Sequence, residues 1–159
     1  MTSFIHPWTR RLLALAAGCA LSALAQAHGD VTPQAVDTTG LPSLGSDWRA
    51  ENPFRQNDPA IRIGSSAYNQ NCARCHGLEV ISGGIAPDLR KIDNDCAILK
   101  DDKKKAACVK ETDEYYANTV RRGRTRNGAV YMPPFEGILN QEATWAIKAY
   151  LESRRDKAL

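Results

Sequence analysis

Apolar and small residues recur at helical spacing near the middle and at the end of the chain. Gly64, Tyr68 and Cys72 are four residues apart, which places them on one face of a predicted helix. Asn140 can cap a final helix that carries Glu142 in its first turn. The apolar stripe of that helix consists of Ala143, Ala146, Ile147, Tyr150 and Leu151.

A third helix is predicted between Thr112, which can cap its first turn, and Gly123, which ends it. Its inward side consists of Tyr115, Tyr116, Thr119 and Val120. No segment alternates with period two for long enough to predict a strand. The pattern therefore predicts an all-α domain of few helices, joined by long proline-containing loops.

The chain begins with the pattern of a secretory signal over residues 1–27. An Arg-Arg pair precedes an uncharged apolar run, and Ala-Gln-Ala at 25–27 is a typical cleavage site. The run is shorter than the roughly 20 residues of a membrane-spanning helix. We therefore expect no permanent membrane span, cleavage after Ala27, and a periplasmic mature chain that begins at His28. An uncleaved anchor, a lipoprotein site at Cys19 and twin-arginine export are alternatives.

The mature chain divides into an extended arm, residues 28–60, and a compact domain, residues 61–159. The arm holds four of the eight prolines and keeps no helical or strand period. Trp48 and Phe54 are its candidates for contact with the domain. A chain of 159 residues suffices for one ordinary domain, and we expect a monomer.

Charge argues against one class of function. The whole chain has a formal net charge of +3, and loss of the leader removes two arginines and no acid, which leaves 19 basic and 18 acidic residues. So small a charge argues against nucleic-acid binding. The mature chain keeps four cysteines, which export would place in an oxidising compartment.

Cys72-Ala73-Arg74-Cys75-His76 is a C-x-x-C-H sequence, the attachment signature of c-type haem. Two thiols three residues apart reach the vinyl groups on one porphyrin edge, and His76 can then bind the iron. A thioredoxin-like dithiol, half of a zinc site and a structural disulfide are the alternatives. No βαβ pattern surrounds the pair, and Cys96 and Cys108 are too far apart to form a second C-x-x-C. The motif therefore predicts one haem c with its iron.

The sixth iron ligand distinguishes an electron carrier from an open haem that binds ligands or reacts with peroxide. Met132 is the sole methionine of the mature chain, and the two prolines that follow it stiffen its loop. We expect the Met132 sulfur to bind the iron as its second axial ligand. Ligation by His76 and Met132 would favour one-electron transfer without substrate chemistry. An open-site haem protein and a haem-free thiol-disulfide protein stay as alternatives.

From about residue 61 to the end, the chain resembles the class I, single-haem cytochromes c. Gly64 and Tyr68 match the glycine and the aromatic residue of that family's first helix. Ile147 and Tyr150 match the apolar and aromatic pair of its last helix. The resemblance implies a cytochrome c fold, with few helices packed around one covalently bound haem.

Ala86-Pro87-Asp88-Leu89 is similar to the Pro-x-Leu loop of the same family. The resemblance implies that the Pro87 carbonyl accepts a hydrogen bond from His76 Nδ1 and thereby orients the ring. It also implies that Leu89 packs against the haem face.

The flanking segments are similar to those of periplasmic cytochromes c that accept electrons from alcohol dehydrogenases containing pyrroloquinoline quinone (PQQ). The similarity lies in the arm from His28 to Gln34, the insert between two cysteines, and Tyr-Met-Pro-Pro-Phe at 131–135. It implies a PQQ-dependent alcohol dehydrogenase as electron donor, with a downstream cytochrome or terminal oxidase as acceptor.

Cys96 and Cys108 enclose a polar, lysine-rich insert that small class I cytochromes generally lack. We expect a disulfide between them, because burial cannot hold such a loop; free thiols are the alternative.

Basic residues also follow the insert. An arginine suits a haem propionate, because its guanidinium pairs well with a carboxylate. The candidates are Arg90, Arg121, Arg122, Arg124 and Arg126.

Overall fold

The computed structural model describes residues 32–155. The predicted leader, its cleavage after Ala27 and the start at His28 lie outside the described residues. Within them the chain forms five α-helices and one two-stranded sheet. In chain order the elements are α1 (Asp58–Asn71), α2 (Ala73–His76), α3 (Asn94–Ala97), α4 (Asp102–Arg122), β1 (Arg124–Arg126), β2 (Ala129–Met132) and α5 (Gln141–Ser153), with 3₁₀ turns at Leu78–Val80 and Leu89–Lys91.

The first and last long helices begin at asparagine caps. The Asn57 side chain accepts a hydrogen bond from the Ala60 amide at 2.9 Å, which starts α1. Asn140 accepts from the Ala143 amide at 2.8 Å and starts α5, as predicted. Each cap satisfies one of the amides that a first helical turn leaves without a partner.

Helix α4 begins eleven residues earlier than predicted, so the expected cap at Thr112 is wrong. Asp101 is the cap, and its Oδ1 accepts from the Lys104 amide at 2.9 Å. Thr112 lies inside the helix, where its hydroxyl donates to the Cys108 carbonyl at 3.0 Å. Lysine, alanine and glutamate are good helix formers, so most of the polar insert is helical without any apolar stripe.

A short hairpin was not predicted. Strands β1 and β2 pair antiparallel, with Arg124 opposite Met132 and an irregularity between Arg124 and Thr125. Asn127 and Gly128 form the turn, both with positive φ. An Asn-Gly pair is a strong hairpin signal, and it was available in the sequence. The all-α prediction is otherwise confirmed.

Helices α1 and α5 cross in close contact at Gly64. A Cβ atom built there would lie 1.9 Å from the Ala146 carbonyl oxygen, so only glycine fits. Beside the crossing, the buried rings of Tyr68 and Tyr150 lie 5.4 Å apart. Gly64, Tyr68 and Tyr150 thus form the helix contact that the resemblance implied, and the Ile147 amide nitrogen lies 3.0 Å from the same Cβ position. None of the helices in residues 32–155 combines the length and apolar character that crossing a membrane requires.

Helix α1 begins at Asp58, inside the predicted arm, and the described residues before it lie along α1 and α5. Its backbone amides at Leu44 and Arg49 donate to the side chains of Glu142 and Gln141, at 2.6 and 2.7 Å. Phe54 is buried in the core. Trp48 packs against the core, with the Arg121 guanidinium 4.4 Å from its ring centroid. Side chains of α5 therefore anchor the arm through its main chain, in addition to the two predicted aromatic contacts.

A fully buried lysine joins three segments of the fold. Lys148 Nζ in α5 lies 2.9 Å from Asp93 Oδ2, 3.3 Å from Asp113 Oδ1 and 2.8 Å from Glu152 Oε1. Arg55 and Arg155 add further ion pairs to these acids. Three cations balance three carboxylates, which is the condition for burying charge at acceptable cost. No pattern in the sequence predicts this network.

Cys96 in α3 and Cys108 in α4 form a disulfide, with their Cα atoms 5.5 Å apart. Cys96 is buried, and Asp93 of the ion network occupies the N-cap position of the same short helix. The bridge therefore fastens the start of α4 to the segment that reaches Lys148.

We expect Gly64→Ala to destabilise the fold, although alanine favours a helix by about 1 kcal/mol. Overpacking at the Ala146 carbonyl should outweigh this gain and leave a net loss of about 2 kcal/mol in the free energy of unfolding. Denaturant unfolding of the haem-loaded protein measures it. Asn69→Ala, at an exposed position of α1, is the control and should change stability little. Equal stability of the two variants would contradict the close crossing.

We expect the double variant Cys96→Ser/Cys108→Ser to lose about 3 kcal/mol or less, because the bridge restricts the unfolded chain. The haem absorption spectrum should not change. Thermal unfolding, with and without reductant, measures the effect, and reductant should destabilise only the parent protein. A parent protein that melts like the double variant without reductant would contradict the bridge.

Candidate cofactor site

One cavity of about 400 Å³ brings most of the predicted site residues together. Its volume lies within the range of about 300–1,000 Å³ that is usual for ligand pockets. The predicted residues Cys72, Cys75, His76, Pro87, Leu89 and Met132 all line it. Apolar side chains supply most of the remaining wall, including Ile92, Val120, Phe135, Ile147 and Leu151.

The C-x-x-C-H segment enters the cavity as a single helical turn. Cys72 ends α1 and starts α2, which contains Cys75 and His76. The Cys72 amide donates to the Tyr68 carbonyl at 2.7 Å, and the Tyr68 hydroxyl donates to the Gly77 carbonyl at 2.7 Å. Tyr68 thus contacts both ends of the motif, so the helix crossing at Gly64 also positions the cysteines.

Burial raises the pKa of the Cys72 thiol to about 12. Dithiol redox sites depend on a thiolate with a lowered pKa. The pKa shift at Cys72 is in the opposite direction, and the apolar wall beside it suits a sulfur that forms a neutral thioether.

His76 is oriented by the loop that follows it. Its Nδ1 lies 2.9 Å from the Pro87 carbonyl oxygen, which is the contact that the resemblance implied. Since a carbonyl can only accept, Nδ1 carries the proton and Nε2 keeps a lone pair for a metal. Leu89 begins the next 3₁₀ turn and also lines the cavity.

Met132 is the last residue of β2 and is half-buried at the cavity wall. Pro133 and Phe135 line the cavity directly after it. The structure thus brings the sole methionine of the described chain to the same cavity as His76, from which it is 56 residues distant in sequence.

Of the candidate arginines, only Arg124 lines the cavity. Its guanidinium lies 4.8 Å from the ring centroid of Tyr115 and donates to the Thr119 hydroxyl. Arg90 pairs with Asp88 at 2.7 Å, and Arg121 pairs with Glu136. Arg122 and Arg126 do not line the cavity.

Part of the cavity wall was not predicted from the sequence. Tyr116 and Val120 were predicted to face inward, but Ile92, Tyr131 and Phe135 were not predicted to line a cavity. The Tyr116 hydroxyl donates to the Thr144 carbonyl at 3.0 Å, and burial raises its pKa well above the ordinary value. Loop residues such as Ile92 and Phe135 have no periodic pattern that could have assigned them to a wall.

Comparison with known proteins gives a family and several relatives. Residues 59–151 match the family described as cytochrome c oxidase, cbb3-type, subunit III. The chain is 53% identical to cytochrome c550 of Pseudomonas aeruginosa over 148 residues, which cover 91% of this chain and 92% of that protein. No solved structure gives a significant match.

Two weaker relatives are much longer proteins. The quinohemoprotein alcohol dehydrogenase ADH IIB of Pseudomonas putida is 29% identical over 106 residues, or 67% of this chain. The quinohemoprotein alcohol dehydrogenase ADH-IIG of the same organism is 30% identical over 103 residues, or 64% of this chain. The matched segments make up only 13% and 12% of those two proteins.

Proposed function

We propose that this chain, which belongs to the cytochrome c family, carries single electrons between two redox proteins. The observation that carries the proposal is one apolar cavity lined by a C-x-x-C-H motif and by the sole methionine of the described chain. A cavity with both donors can hold an iron porphyrin with two protein ligands. Such a site has no position left for a substrate.

Family membership implies one haem c with its iron, and the residues present fit that group. Two cysteines on one helical turn can tether the ring, and His76 Nε2 is the ring nitrogen left for the metal. The wall is largely apolar, as a porphyrin face requires. When bound, the haem supplies an iron that gains or loses one electron.

The protein's own groups then set the properties of that iron. Pro87 fixes the ring of His76 through the 2.9 Å hydrogen bond to Nδ1, which makes the imidazole a better donor. A thioether from Met132 raises the reduction potential relative to a second imidazole or a thiolate. Ligation by His76 and Met132 together would keep the coordination similar in the two oxidation states, which favours one-electron transfer.

We propose that Arg124 is the arginine that pairs with a haem propionate. It lines the cavity, and the ion pairs of residues 32–155 give it no carboxylate partner. Its stacking on Tyr115 and its bond to Thr119 hold the guanidinium in place. A fixed guanidinium pairs with a carboxylate at lower entropic cost than a free one.

A PQQ-dependent alcohol dehydrogenase is the proposed electron donor, and a downstream cytochrome or terminal oxidase the acceptor. Two relatives named quinohemoprotein alcohol dehydrogenases contain a segment similar to this chain. In those relatives the similar segment is part of the dehydrogenase chain itself. We infer that here the cytochrome and its dehydrogenase are two separate proteins. The leader pattern at 1–27 supports a periplasmic location, where we propose that the two proteins meet.

We expect Met132→Ala to lower the reduction potential and to open the iron to external ligands. The parent protein should give sharp low-spin reduced bands that carbon monoxide does not change, whereas the variant should bind carbon monoxide. Optical titration and spectroscopy measure both effects. An unchanged reduction potential and an unchanged spectrum in the variant would show that Met132 is not an iron ligand. Ready binding of carbon monoxide by the parent protein would favour the open-site alternative.

We expect a purified PQQ-dependent alcohol dehydrogenase, supplied with alcohol, to reduce the haem-loaded chain at about 10⁵–10⁷ M⁻¹ s⁻¹ at physiological ionic strength. Stopped-flow absorbance measures the rate. An unrelated c-type cytochrome of similar potential is the control and should be reduced more slowly. Equal rates for both proteins would contradict the proposed donor.

A further inference from the structure

The segment that carries Met132 rests on the C-terminal end of α4. The Phe135 amide donates to the Val120 carbonyl at 3.0 Å, and the Glu136 amide donates to the Arg121 carbonyl at 3.1 Å. These carbonyls belong to the last helical turn, which has no partners of its own for them. The loop after Met132 therefore caps α4, and the helix end holds the loop.

Gly123 is the point of closest contact between the helix end and this segment. A Cβ atom built at Gly123 would lie 2.3 Å from the Met132 carbonyl oxygen and 2.8 Å from Pro133 C and Pro134 N. Real Cβ atoms do not approach closer than 3.0 Å, so a side chain would displace the Met132 peptide by about 0.7 Å. The contact atoms are all backbone and cannot rotate away. The backbone angles of Gly123, φ 67° and ψ −166°, also lie where essentially only glycine is found.

The hairpin turn has no such contact. A Cβ atom at Gly128, also with positive φ, would meet nothing within 4 Å. The strand register is already irregular next to Arg124, the residue opposite Met132. The hairpin is thus a weaker constraint on Met132 than the helix end is.

We propose that Gly123 is a positioning residue that sets the distance of the Met132 sulfur from the haem iron. The proposal rests on the proposed function, in which Met132 is an iron ligand. Functional groups must be held within about 0.5 Å of their productive geometry, and the displacement that a side chain at Gly123 requires exceeds this. Because Gly123 at the end of α4 has no side chain, the Met132 sulfur can reach the distance at which it binds the iron.

The test measures the affinity of the ferric, haem-loaded protein for imidazole, which competes with Met132 for the iron. Gly123→Ala should bind imidazole at least about tenfold more tightly than the parent, because its sulfur is displaced. The far-red absorption band of a thioether bound to ferric iron should weaken in parallel. Gly128→Ala also places alanine at a positive φ but without the contact, and its affinity should stay within about twofold of the parent.

A third variant, Met132→Ala, separates failure of the proposed ligand from failure of the positioning role. Met132→Ala defines full loss of the sulfur; if its imidazole affinity equals that of the parent, the proposed ligand fails, whatever Gly123 does. If Met132→Ala binds tightly but Gly123→Ala behaves like Gly128→Ala, the positioning role of Gly123 is wrong.

Should Gly123→Ala not fold, insertion of one glycine after Gly128 decides the question. A longer turn disturbs the hairpin and leaves the contact at Gly123 intact. Parent-like affinity and an intact far-red band would support the helix end as the constraint. An imidazole affinity like that of Met132→Ala would show that the hairpin, and not the end of α4, positions the Met132 sulfur. That result would overturn the proposal.

Discussion

The rest of the molecule depends on the contact of two helices at Gly64. The Ala146 carbonyl occupies the space of the missing side chain, so α1 and α5 approach at backbone distance. Tyr68 lies one turn further along α1, where it packs on Tyr150 and bonds to both ends of the C-x-x-C-H turn. The helix crossing thereby fixes where the cysteines and His76 enter the cavity.

Within residues 32–155, a buried ion network and a disulfide stabilise the core in addition to apolar burial. Ten of the thirteen residues of α5 are buried, and one of these is Lys148. Its ion pairs reach α4, the cap of α3 and, through Arg55, the arm. Removing one member of such a network leaves an uncompensated buried charge, which costs about 3–5 kcal/mol. The ion network and the Cys96–Cys108 bridge both join the segment around α3 to α4. The insert between the two cysteines is therefore part of the folded unit.

The cavity combines two kinds of support. His76 lies on a helical turn within five residues of Cys72, so its place follows from local structure and from one bond to Pro87. Met132 ends β2, and the end of α4 holds the loop that follows it by main-chain contacts. One proposed axial ligand is thus locally determined, whereas the other depends on tertiary packing. The weaker donor is the one whose position the fold must define.

The sequence alone determined the features that arise from short-range chemistry. The C-x-x-C-H motif, the asparagine cap of α5, the glycine–tyrosine spacing of α1 and the end of α4 at Gly123 could be predicted, because each depends on residues within one or two turns. The start of α4 was predicted wrongly, since a helix of polar residues has no apolar period, and the Asn-Gly hairpin was overlooked. Tertiary structure decided which loop residues form the cavity wall, which arginine faces it and how Lys148 is neutralised. The hydrogen bond of Tyr116 and the long-range ion pairs around Lys148 join residues 28 to 97 positions apart, and a pattern along the chain carries no information about such distances.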